Sequence, residues 1–73
     1  MEQKRLLKNI ADNIRLLRTK HRISQELLAE KIQMSNQQIS SIENELSEPK
    51  LSTIIKIAEV FNVTVNDLIY EQE

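Results

Sequence analysis

Apolar side chains recur along this chain every three to four residues, the period of helices with one face turned inward. Leu7, Ile10, Ile14 and Leu17 share such a face, with Leu6 and Ala11 beside them, and predict a first helix from about Lys4 to Lys20. Ser24 follows as an N-cap, its hydroxyl placed to accept from an otherwise unpaired amide, ahead of a short helix over Gln25 to Lys31 with Leu28, Ala29 and Ile32 inward. The pattern breaks at Gln33 and Met34. Ser35 is a second N-cap, and Gln38 three residues later completes a capping box, so a third helix runs to about Asn44 with Ile39 and Ile42 inward. From Glu45 to Lys50 there is no period, and Pro49 falls here, so the stretch reads as a loop. Leu51, Ile54, Ile55, Ala58 and Phe61 mark the inward face of a fourth helix that stops at Asn62. Thr64 caps a last short helix in which Val65, Leu68 and Ile69 turn inward, leaving Tyr70 and a polar tail. Ile54, Ile55, Ile57, Val60, Val63 and Val65 are β-branched and would suit a strand, but their register with Ala58 and Phe61 is helical. The expectation is an all-α fold of five helices.

Length limits what this pattern can build. The 73 residues provide material for one hydrophobic core, so a single domain over residues 1–73 is expected, with its core at about 10–69 and no room for a small-molecule effector domain. There is no cysteine, which removes disulfides and cysteine-based zinc sites and favours a reducing, cytoplasmic setting. Charges at Glu2, Lys4, Arg5 and Lys8 stand where a signal peptide would be apolar, and no apolar run is long enough to enter a membrane.

Between Gln25 and Asn44 two short helices are joined by a tight turn, a helix-turn-helix pattern with the small Ala29 in the first helix. A small side chain lets steeply crossing backbones approach, and Leu28, Ile32, Met34, Ile39 and Ile42 fill the angle. The outer face of the second of these helices is then Asn36, Gln37, Gln38, Ser40 and Ser41, all neutral amides or hydroxyls. Solvated helices ordinarily carry Lys and Glu there. Side-chain amides can pair bidentately with adenine in the major groove, and hydroxyls can reach base edges or phosphates.

Here the chain resembles a family, the helix-turn-helix proteins of the phage repressor and Cro type, also called the XRE family. The resemblance spans about Ile10 to Ile69. It is carried by Ile14 to Arg18, by Ser24 to Ile32, by Met34 and Ser35 with Ile39, Ser40 and Ile42 to Asn44, and by Pro49 with Leu51, Ile54, Lys56, Ile57 and Ala58. It implies a lambda-repressor-like five-helix domain and a DNA-binding transcription regulator, repressor-like and encoded by a bacterium or phage. By the same resemblance Asn36, Gln37 and Ser41 are the principal base-reading positions, with Gln38 and Ser40 as neighbours. Gln25 contacts a phosphate or an edge base, Ser35, Asn44 and Lys50 approach phosphates, and Arg18 with Glu43 ties the first helix to the end of the third. If exposed, that pair would be an ordinary surface ion pair worth ~0–1 kcal/mol. Arg22, Gln33, Glu45 and Asn62 stand where relatives frequently have glycine just past a helix end, a position that often needs a left-handed backbone.

Charge complicates the picture. The net charge of -1 is unusual for a DNA binder, but residues 1–34 carry eight Lys or Arg against four acids, and residues 35–73 two against seven. Arg15, Lys20, Arg22 and Lys31 read as phosphate contacts or as solubilising charges, and Arg15 joins the candidate backbone contacts. The acidic half supports a rival, a protein-interaction module of the same shape, antitoxin-like or adaptor, with weak or no DNA binding. His21 has no ligand at metal spacing and reads as exposed. Glu43, Glu45 and Glu48 lie on a helix end and loop with no basic, nucleophilic or metal-binding partner nearby in sequence, and no glycine-rich phosphate loop exists, so neither an enzyme nor a cofactor is expected. The expected partners are double-stranded DNA and a second copy, with the dimer contact placed near Val65, Asn66, Ile69 and Tyr70.

Overall fold

A computed structural model of the chain describes residues 2–72, and five α-helices account for their regular structure. In chain order these are α1 (Gln3–His21), α2 (Gln25–Lys31), α3 (Asn36–Glu43), α4 (Leu51–Phe61) and α5 (Val65–Ile69). Three of the five begin on the caps expected. Ser24 Oγ accepts from the Leu27 amide at 3.0 Å. Ser35 and Gln38 form both halves of a capping box, as do Thr64 and Asp67. Each cap satisfies an amide with no partner inside its helix, worth about 1 kcal/mol.

The helix ends are closed by four non-glycine residues in the left-handed region: Arg22 (φ 57°), Gln33 (φ 59°), Glu45 (φ 61°) and Asn62 (φ 55°). After each, the next amide reaches back to a carbonyl in the helix just ended: Ile23 to Arg18, Met34 to Ala29, Leu46 to Ser41 and Val63 to Ala58, at 2.8 to 3.0 Å. These closing bonds hold the chain in a conformation that disfavours a residue with a Cβ. A chain without glycine therefore makes every one of these turns with a side chain present.

The core draws on every helix. Ile14, Leu28, Ile39, Ile57 and Leu68, one from each of α1 to α5 in order, are the largest fully enclosed side chains. Two expectations for α4 are corrected: Leu51 and Ile55 are exposed, and Thr53 and Ile57 take inward positions instead. At 100° per residue, the line through Ile54, Ile57 and Phe61 carries Leu51 and Ile55 round the flank of the helix, so counting them with Ile54 made the apolar face too wide.

Two asparagines on the inward side of α1 join the chain's ends. Asn13 Nδ2 donates to the carbonyls of Leu68 at 2.7 Å and Tyr70 at 2.8 Å, and Asn9 Nδ2 to that of Ile69 at 3.1 Å. The last carbonyls of a helix have no partner within it, and α5 has hardly more than one turn, so these amides supply what the short helix lacks.

Candidate nucleic-acid interface

The corner of α2 and α3 sets the outer face of α3. Leu28 and Ala29 from α2 and Ile39, Ile42 and Glu43 from α3 are buried, which turns the opposite side of α3 to solvent. Asn36, Gln37 and Gln38 are exposed, and Ser40 and Ser41 half-buried. Hydrogen bonding divides these five. Gln38 Oε1 accepts from the Ser35 amide at 2.8 Å, and Ser40 Oγ and carbonyl both accept from Asn44 Nδ2, at 3.2 and 2.9 Å. The side chains of Asn36, Gln37 and Ser41 make no hydrogen bond among the described residues.

Behind this face lies a polar junction around Glu43, which is 2% exposed. Arg18 grips its carboxylate with two bonds, Nε to Oε2 at 2.6 Å and Nη2 to Oε1 at 2.8 Å. Gln25 Nε2 adds a third at 3.1 Å, and Arg15 Nη2 donates to the Glu43 carbonyl. Arg18 also donates through Nη1 to the Ile23 carbonyl at 3.1 Å. Its hydrogen bonds to Glu43 raise its pKa above the ordinary arginine value against the opposing effect of burial, so the guanidinium is charged at any working pH. With Arg18 only 17% exposed, the junction is not a solvated surface pair but a fixed tie between α1, α2 and α3.

That junction engages two candidate backbone contacts. Gln25 is half-buried on Glu43, and Arg15, half-exposed, also lies 3.3 Å from Asp12. Asn44 is the C-cap of α3 and holds Ser40, whereas Ser35 and Lys50 stand exposed at the N-caps of α3 and α4.

Lys50 belongs to a second feature, an open groove of about 570 Å³ between α3 and the start of α4. Gln37 and Ser41 form one wall, and Lys50, Ser52 and Lys56 line the other. Glu48 also lines it, with its carboxylate accepting from Gln3 Nε2 at 3.0 Å. Lys56 was given no role from sequence. Its signal was that Lys50 and Lys56 are the only basic residues after position 35. Asn9 and Asn13 were missed as well, although two amides four apart beside Ile10 and Ile14 lie on a face otherwise apolar.

His21 is exposed, and its ring lies 5.1 Å from that of Phe61. Among the described residues no three His, Cys, Asp or Glu side chains converge as metal ligands would, and no helix is long and apolar enough to cross a membrane.

Comparison with known proteins agrees with this geometry. The helix-turn-helix family pattern matches residues 14–68. An uncharacterised helix-turn-helix-type transcriptional regulator of Methanocaldococcus jannaschii is 36% identical over 63 residues, covering 85% of this chain and 96% of that protein. A hypothetical transcription factor from Neisseria superposes with a TM-score of 0.86 at 30% identity, over 90% of this chain and 76% of its own. The SOS-response transcriptional repressor LexA of Eubacterium rectale shares the fold, with a TM-score of 0.89 at 20% identity over 100% of this chain and 78% of its own. The five helices have the lambda-repressor arrangement, and the chain belongs to the helix-turn-helix family of the phage repressor and Cro type, the XRE transcription regulators.

Proposed function

We propose that this chain is a sequence-specific DNA-binding transcription regulator, repressor-like in action, that lays α3 in the major groove of an operator. One observation carries the reading: Asn36, Gln37 and Ser41 lie on the side of α3 away from the α2–α3 corner, and their side chains make no hydrogen bond among the described residues. Side-chain amides left in this state match the donor and acceptor pair on the major-groove edge of adenine, and each good bidentate pair discriminates by ~1–3 kcal/mol. Gln38 and Ser40, engaged locally, are the secondary readers. Lys50, Ser35 and Lys56 supply phosphate contacts that set register without reading sequence. Gln25, Arg15 and Asn44 contribute to backbone binding through the groups that their internal bonds leave over. The described helices work as one binding unit, in the cytoplasm, with no cofactor. Two copies bind palindromic half-sites whose major grooves are ~34 Å apart, because one short helix reads too few base pairs for specificity.

Selection of bound duplexes from random DNA tests the proposal. Recovery of a palindromic site, with affinity falling steeply as salt rises, supports it. Retention of no duplex at low salt overturns it, and binding indifferent to salt favours the protein-interaction module suggested by the acidic second half.

A further inference from the structure

Among the buried polar residues, Asn9, Asn13 and Glu43 are bonded across helices, and Thr53 is the exception. It is 8% exposed, and its side chain makes no hydrogen bond among the described residues. No fully enclosed side-chain nitrogen or oxygen among those residues lacks a partner, so the Thr53 hydroxyl keeps an opening. The groove between α3 and the start of α4, which Thr53 lines, provides it.

The start of α4 adds further donors at the same end of the groove. Its N-cap, Lys50, makes no side-chain cap, and the amides of Leu51, Ser52 and Thr53 precede the first bond of the helix, from the Ile54 amide to the Lys50 carbonyl at 3.1 Å. Such amides have no acceptor inside the helix and favour an anion. Ser52, Lys50 and Lys56 line the same groove. The one acid that lines it, Glu48, already accepts from Gln3 Nε2.

We infer that this end of the groove binds the terminal phosphate of a small molecule, a phosphate monoester, and that such a ligand displaces the operator from α3. Only the displacement rests on the DNA-reading function proposed above. A monoester brings three free oxygens and close to two negative charges at neutral pH, where a phosphodiester has two oxygens and one charge. The larger set suits two lysines and a row of unpaired donors. Depth points the same way. A monoester enters end-on and can reach Thr53, whereas a backbone phosphate carries sugar on both sides and meets the exposed Lys50 at the rim.

Room remains for the body of the ligand. The groove holds about 570 Å³, within the ~300–1,000 Å³ of small-molecule sites, and Met34, Ile42 and Pro49 give it an apolar lining. Gln37 and Ser41 form the facing wall, so the ligand fills the space in front of two base-reading side chains. It also engages Lys50 and Lys56, which the operator backbone would otherwise use.

The test titrates the chain with inorganic phosphate, phenyl phosphate and the diester methyl phenyl phosphate at constant ionic strength, following amide resonances. Phenyl phosphate is expected to shift the amides of Leu51, Ser52 and Thr53, and to bind more tightly than inorganic phosphate and about tenfold more tightly than the diester. Thr53→Val should weaken that binding about tenfold, and Thr53→Ser should retain it. In the wild type, phenyl phosphate should release a selected duplex. Thr53→Val should hold the duplex within about twofold of the wild type and resist that release. A diester bound as tightly as the monoester assigns the pocket to the DNA backbone and overturns the inference. Shifts centred on other lysines and unchanged in Thr53→Val also overturn it. Should Thr53→Val unfold, the wild-type comparison of monoester with diester decides alone. Monoester binding that leaves the duplex in place overturns the displacement and upholds the pocket. A chain that holds no duplex overturns the function, while the titration still decides the pocket.

Discussion

The protein holds two sets of polar side chains that look alike in sequence and stand in opposite situations. Asn9, Asn13, Arg18, Gln25 and Glu43 are partly or wholly enclosed and bonded across helices. Asn36, Gln37 and Ser41 lie on the outside of α3, and their side chains make no hydrogen bond among the described residues. An enclosed polar group that loses its partner bears a large desolvation cost, whereas an exposed one is already paired with water. The first set should therefore govern stability and the second binding.

The sharpest way to break that division is at Glu43. Glu43→Ala leaves the Arg18 guanidinium unpaired beside the core, and is expected to lower stability by about 3–5 kcal/mol, read from urea unfolding. A loss under about 1 kcal/mol would return the pair to the class of surface bridges. Because Arg18 is raised above its usual pKa, its contribution is complete below the unfolded-chain value and is lost only as pH climbs through the folded one. Alkaline titration short of that range should leave the pair intact.

Asn13→Ala comes next. It removes the donor to two carbonyls and should cost about 1–3 kcal/mol, with amide exchange accelerating first in α5. Gln37→Ala is the reverse case: unfolding should move by less than about 0.5 kcal/mol, while discrimination at one or two base pairs falls by ~1–3 kcal/mol in a competition assay. Equal weakening on every sequence would assign Gln37 to the backbone instead. The smallest effect is expected at the turns, where Glu45→Gly relieves a left-handed side chain and should stabilise by about 0.5–1 kcal/mol in thermal melts.

Residue order alone was enough for the five helices, because an apolar period and a Ser or Thr cap are local properties. The caps at Ser24, Ser35 and Thr64 could be placed from neighbours a few residues away, whereas family likeness marked the four left-handed positions. The face of α4 could not, since Leu51 and Ile55 are as apolar as Ile54 and Ile57 and only the packing of the other helices chooses among them. The polar groups divide in the same way. Family likeness paired Arg18 with Glu43, but the depth of their burial and the addition of Gln25 depend on where α2 crosses α1 and α3.

Sequence by itself determined the helices, their ends and the amide-rich face of α3, since those depend on contacts within one or two turns. Tertiary structure alone decided which amides remain open, which apolar residues stay uncovered on α4, and how Lys56 comes to line a groove with Gln37. Each of those depends on groups far apart along the chain, and their meeting is set by the shape of the shared core.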